Sequence, residues 1–473
     1  MLQGWFVFVV SLAYLGGLFL IASRGDRLAA HGRTMTGRAS IYVFSLAVYC
    51  TSWTFFGSVG LAATTGYDFL PVYLGPILMF TLFWPVLDKI LRISKVQNIT
   101  SIADFVAARY GKSEGIAALV TLIAVVGGIP YIALQLKAVA TNFNLLIEYP
   151  EVLVPVSSNQ YPWWADTALI VTCMMALFAM LFGTRRIDAT EHHEGMVLAI
   201  AFESAVKLAA FIAVGVFVTF LMFEGPGALL ESVRNHPRAA EVLAGGPDPW
   251  SWLAITLVAF AATICLPRQF HVMVVENTDV DHLRRARWLF PLYLVAINIF
   301  VVPVAMAGLI YFPPGEVLGD TFVLALPMAA QAETLALVAF LGGLSAATGM
   351  VIVATVALST MICNDLVVPM LIRRGNFLAN DPDGPSETLL AIRRLAIIGL
   401  LVCAFLYYRW LGQGYALAAI GLLSFAAVAQ FAPALLIGLY WEGGNRTGAT
   451  AGILVGFLLW AYTLMMPTLV DAG

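Results

Sequence analysis

Charge is scarce in this chain. Only 11% of its 473 residues are Asp, Glu, Lys or Arg, while 61% are hydrophobic and mean hydropathy is +0.89. Soluble domains carry roughly 25% charged residues, so the composition excludes a soluble globule and makes the lipid bilayer the first expected partner. A net charge of -3 supplies no basic surface, and no nucleic-acid partner is expected. Cysteine is scarce too. Cys50, Cys173, Cys265, Cys363 and Cys403 lie far apart inside apolar runs, which excludes a disulfide framework and a thiolate metal site. The chain also lacks His-Glu-x-x-His, Gly-x-Ser-x-Gly, a Ser–Lys pair and a phosphate-cradling glycine loop. Asp104, Asp365 and the histidines are widely separated, so no enzyme, no catalytic residue, no metal and no cofactor is expected. Residues Trp5–Ala22 lack a basic leader and an Ala-x-Ala site and read as a retained helix.

What the chain has in quantity is apolar runs. A hydrocarbon core needs about 20 apolar residues per helix. Such runs fall near 4–23, 39–64, 71–91, 115–147, 165–183, 194–223, 251–275, 288–312, 333–370, 389–411, 414–440 and 447–467, twelve spans in all. Thr334–Leu371 exceeds one span, which predicts a reentrant turn or an external extension. Twenty of the 25 Lys and Arg residues sit in alternate loops, beginning with Arg24, Arg27, Arg33 and Arg38. Arg268 is counted among them, with Arg284, Arg285 and Arg287. The opposite loops hold three, Arg234, Arg238 and Arg409, while Lys137 and Lys207 fall inside helices. The positive-inside rule then puts both termini outside the cytoplasm.

The stretch Ile41–Gly75 begins as an uncharged helix and gathers Thr51, Ser52, Thr54, Gly57, Ser58 and Gly60 in its middle. Two readings stand. It is a helix broken at mid-membrane, aiming free carbonyls at a solute or cation, or a tightly packed small-residue seam. Pro267 interrupts the span at 251–275 in the same way, and five spans separate the two starts. An odd number of helices per unit inverts the second copy, an architecture found in transporters.

Gln430–Trp441 followed by Asn445–Gly452 resembles the sodium/solute symporter family. So do Asn98–Tyr110, the Thr190-Glu191-x-x-Glu194-Gly195 stretch and the Pro267–His271 region. Within it, Thr51–Gly60, Leu266–Asn277 and Ile362–Leu366 look closest to the transporter-like membrane module of bacterial sensor histidine kinases. The resemblance implies an all-α membrane protein, a LeuT-type bundle of five plus five inverted helices with peripheral helices, in the bacterial inner membrane. On that mapping residues 1–38 form a peripheral helix and basic loop, 39–223 the first repeat, 224–250 an external loop, 251–440 the second repeat, and 441–473 a peripheral helix. It further implies import of a small polar metabolite by alternating access, an amino acid such as histidine before a short carboxylate such as acetate. Kinase and response-regulator partners would act through a part lying beyond Gly473. A receptor that kept the fold and lost transport is the competing expectation.

Residue by residue, the family's cation site maps its carbonyl donors to Ala47 and Cys50, and its hydroxyl pair to Gly349 and Met350. Neither of the latter offers a side-chain oxygen, although a one-residue shift would bring in Thr348. A small hard cation wants several oxygen ligands, so H+ is expected to replace Na+ as the coupling ion. Intramembrane ionisable groups default to function. Glu203 and Lys207, one turn apart, read as a buried structural pair or a proton relay. Glu191, near His192 and His193, occupies the family's acidic position. The solute cavity is expected to use Thr51, Ser52, Trp53, Tyr131, Gln135, Thr263 and Gln269, with Gly57, Pro130, Pro267 and His271 at helix breaks or gates.

Overall fold

The computed structural model describes residues 3–31, 35–150, 162–183, 193–246, 248–373, 386–411 and 416–472. Among the described residues there is helix and no strand. Seven helices are each long and apolar enough to cross a membrane: Gly4–Ala30, Glu114–Glu148, Glu194–Met222, His282–Tyr311, Glu333–Arg373, Glu387–Trp410 and Arg446–Thr468. Four more spans are bent pairs, among them Ala39–Tyr49 with Trp53–Thr65 (66°) and Leu417–Ala429 with Ala432–Gly438 (44°). Thr167–Gly183 is a shorter apolar helix beside these eleven. The ends follow local chemistry. Ser101, Ser113, Asp248 and Asn445 accept hydrogen bonds from the first turns they cap. Pro71, Pro249 and Pro267 begin helices, where a missing N–H costs nothing.

Of the two readings for Thr334–Leu371, the reentrant turn is absent and the extension remains: Glu333–Arg373 runs through all 41 residues. At 1.5 Å per residue it reaches about 60 Å, twice a hydrocarbon core of about 30 Å, and so projects beyond it. Pro130 does not break its helix, which continues from Glu114 to Glu148. One missing hydrogen bond inside so long a helix, packed on several sides, does not end it.

The two broken helices meet at the centre. Ala39–Leu46 lies against Glu194–Val216 and His282–Asn298, and Pro249–Cys265 lies against Pro71–Thr81 and Leu417–Ala429. Glu333–Met361 packs on both Glu114–Glu148 and Glu194–Val216 and closes the core. Close approach is set by missing side chains. A Cβ on Gly343 would fall 2.2 Å from Cζ of Phe56, and one on Gly342 2.5 Å from Cβ of Ala210.

Candidate functional site

The first broken helix stops at Tyr49, turns extended at Cys50, and resumes with a wide π turn over Trp53–Gly57. π turns gather at functional sites. The break leaves backbone groups short of helical partners, and distant side chains meet several of them. Lys207 Nζ donates to Ala47 O at 2.7 Å and to Cys50 O at 2.6 Å. Gln135 Oε1 accepts from Ser52 N at 3.1 Å, and Gln269 Nε2 donates to Leu46 O at 3.2 Å. The break therefore falls at Cys50–Ser52, while Gly57 lies beyond it, tucked against Leu417.

Lys207 and Glu203 are both buried. They do not form the expected ion pair: among the described residues the amino group goes to the two carbonyls, and the Glu203 carboxylate accepts from Thr348 Oγ1. The long lysine stem reaches the freed carbonyls more readily than it folds back along its own helix. Gly349 serves the same spot by absence, since a Cβ there would stand 2.5 Å from Glu203 Oε2. Met350 lines the small central cavity.

The second break is at Leu266, extended, followed by Pro267–Phe270 and a π turn over His271–Val275. Its outcome differs. Arg268, counted above as a loop residue, is 3% exposed, with its guanidinium 4.2 Å over the Tyr131 ring. Its Nε and Nη2 are buried without a hydrogen-bond partner. Sequence hid this residue because it is counted with the arginines of the following loop, although the apolar run near 251–275 encloses it. The signal that could have found it is the resumption of apolar sequence at Phe270–Val275.

Tyr131 joins the two breaks. Its hydroxyl lies 3.0 Å from Thr51 Oγ1, its face meets Arg268, and its other side stacks on Phe425. Beside it lies a cavity of about 20 Å³, bordered by Leu266, Arg268, Met350 and Ser424, room for about one water. Of the residues expected around a solute, Thr51, Ser52, Tyr131, Gln135 and Gln269 thus cluster at the two breaks. Trp53 turns away, its Nε1 donating to Ala418 O, and Thr263 bonds back to Ala259 O of its own helix.

Both faces of the bundle are closed over this centre. On one, the Gly319–Thr321 turn sits so tightly on Gly60 that a Cβ there would overlap Asp320, whose Oδ2 accepts from Leu417 N. On the arginine-rich face, Glu276 accepts from His193 N and contacts His193 Nδ1 at 2.8 Å and His271 Nε2 at 3.1 Å. These three side chains have ligand atoms within 4.8 Å of one another and are of metal-ligating type. Burial lowers the His193 pKa, but the Glu276 carboxylate outweighs it and holds the imidazole above its ordinary value. Glu191 and His192 lie outside the described residues.

Residues 30–150 match the family model described as the sodium:solute symporter family. An uncharacterised symporter of Bacillus subtilis, YodF, is 22% identical over 437 residues, covering 90% of this chain and 79% of the relative. Among solved structures, a Na+-coupled sialic acid symporter in a substrate-bound outward-open state aligns with a TM-score of 0.69 at 14% identity, covering 98% of this chain and 96% of its own. These likenesses support a symporter-type membrane transporter. Its fold is the LeuT-type bundle anticipated from sequence. The same architecture extends, more loosely, to a manganese transporter of Eremococcus coleocola, with a TM-score of 0.51 at 13% identity, covering 92% of this chain and 87% of that one. These likenesses are to transporters rather than enzymes.

Proposed function

We propose that this transporter imports a small polar solute by alternating access, coupled to protons, with Lys207 standing where a coupling cation would. The observation that carries this is the Lys207 amino group on Ala47 O and Cys50 O, the carbonyls a cation would need. Gly349 and Met350 add no oxygen, and the Thr348 hydroxyl is engaged by Glu203. A protonated lysine places a tethered positive charge on the first break. Losing its proton weakens that hold, and Glu203, one turn along the same helix, is placed to take part in the transfer. Proton release then becomes the event that frees the broken helix, and the solute gradient is tied to the proton gradient. The arginine-rich face is taken as cytoplasmic, which leaves the N-terminus outside an inner membrane.

The test is uptake of labelled histidine into proteoliposomes under a proton gradient alone and then a sodium gradient alone, with Glu203→Gln alongside. Proton-driven uptake by the wild type is expected. The variant should lose that drive and keep exchange of bound solute. Uptake driven by sodium alone would sink the proposal. Histidine is the first solute to try because Thr51–Gly60 and Leu266–Asn277 resemble the sensor-kinase module. The same resemblance favours a second reading, a receptor feeding a kinase and response regulator, in which solute binds but does not exchange. Such a receptor needs only differential affinity for two states of the bundle.

A further inference from the structure

Arg268 is a buried cation whose Nε and Nη2 donors the protein itself leaves without partners. Its side chain is enclosed at the centre of the bundle, and among the described residues no carboxylate pairs with it. Tyr131 offers its ring face, a contact worth on the order of 2 kcal/mol when desolvated. That is small against the cost of an uncompensated buried charge. The unpartnered atoms are not scattered. Nε and Nη2 are the two donors along one edge of the guanidinium plane, and both are buried and vacant of partners. This chain shows elsewhere what that edge takes. Arg92 donates through Nε and Nη2 to the two oxygens of Asp88, at 2.7 and 3.2 Å. Charge balance points the same way. Around the two breaks lie Arg268 and Lys207, with Glu203 as the buried acid beside them.

We propose that the Nε–Nη2 edge of Arg268 clamps the carboxylate of the transported solute, so that the substrates are small carboxylates, zwitterionic amino acids included. This rests on the reading of the centre as the solute site given above. Planar, parallel donors suit a two-oxygen anion and distinguish it from a halide or a neutral amide. The site lies where a solute would be held between both closed faces, against Tyr131 and next to the break at Leu266. The space beside the guanidinium is about 20 Å³, and Met350 on its wall is the unbranched side chain able to swing and enlarge it. The solute carboxylate then completes the second break as Lys207 completes the first.

Binding to the purified full chain in detergent is measured by calorimetry and thermal shift, which require no transport. The probes are L-histidine against its methyl ester, acetate against acetamide, and sodium chloride as a simple anion. At least one carboxylate is expected to bind and its ester or amide to bind about 10- to 100-fold more weakly, the worth of one to two charge-assisted hydrogen bonds. Arg268→Gln should lose the same factor while eluting as a folded monodisperse protein, and Arg268→Lys should recover only part of it. Esters and amides binding as well as acids would overturn the clamp, as would chloride competing on equal terms. So would an Arg268→Gln protein that folds and keeps full affinity. Carboxylate binding without uptake under any gradient would keep the clamp and instead overturn the transport reading.

Discussion

Two helices break at the centre of this bundle, and the protein treats them oppositely. In the first, Lys207, Gln135 and Gln269 are brought from three other helices to satisfy Ala47, Cys50, Ser52 and Leu46. In the second, the residue just past the break is itself a cation, and two of its donors are left without partners. Backbone freed inside a membrane must be satisfied internally, so at the first break the backbone is met by side chains, while Ser52 Oγ and Gln269 Oε1 beside it stay buried without partners. The second carries an unmet electrostatic demand, which is what a binding site looks like before its ligand arrives. The lesson is that a broken helix is not in itself a site; what matters is whether the chain has already filled it.

The strongest way to break this contrast is Lys207→Ala. Removing the buried amine leaves the Cys50 carbonyl without its side-chain donor and the Ala47 carbonyl with only Cys50 N, at about 1–3 kcal/mol for a buried group left unsatisfied. Uptake should fall to background and the melting temperature should drop sharply in a thermal-shift assay. Arg268→Gln, run beside it, is expected to hold the melting temperature or raise it, because an unpartnered buried charge is being removed. Equal losses from the two substitutions would erase the distinction between a filled and an unfilled break. Adding sodium to Lys207→Ala sharpens the test further. Recovered stability would mean that the bared carbonyls of Ala47 and Cys50 accept a cation once the tethered charge is gone.

Much of this was written in local sequence. The small and hydroxylated residues after Tyr49 offered a break as one of two readings, Pro267 marked the other break, and the apolar runs coincide with the long or bent helices. Helical spacing also placed Glu203 and Lys207 on one face. What it could not give is where a flexible four-carbon stem ends. Lys207 reaches a carbonyl 160 residues away in the chain, and Glu203 meets Thr348 from 145 residues away. Those contacts exist only once three helices are packed. Arg268 failed for a different reason: a charge following a proline at the end of an apolar run looks like a loop, and only the helix resuming beyond it reveals burial.

Tyr131 offers a finer comparison, since it touches both breaks at once. Tyr131→Phe removes the hydroxyl contact with Thr51 and keeps the ring under Arg268. It should cost about 1 kcal/mol of stability and change solute affinity little. Tyr131→Ala removes the ring as well, opens a cavity in the core, and should cost about 3–5 kcal/mol together with most of the solute affinity. Binding isotherms on both variants check this. If Phe were as damaging to affinity as Ala, the Thr51 side of the ring, rather than the Arg268 side, would be the part that matters.

The smallest expected effect lies at the arginine-rich face, where His193 and His271 meet Glu276 and so tie the start of Glu194–Met222 to the end of the second broken helix. The His193 pKa is raised in the folded protein, with burial opposing and the Glu276 carboxylate prevailing. A raised folded value means that the contact's stabilisation is fully present below the ordinary histidine value of about 6.5. It is lost as pH climbs through the elevated folded value. Because the His193 side chain is 25% exposed, the term should stay under about 1 kcal/mol. Hydrogen exchange at Gly195 and Met196, corrected for intrinsic rates, should therefore show a closure that loosens as pH rises above about 6.5. His193→Gln, which can still donate to Glu276 but cannot take up a proton, should flatten that dependence. A pH dependence unchanged in the variant would assign the loosening to another group and leave the two breaks, not the latch above them, as the only titrating elements of the cycle.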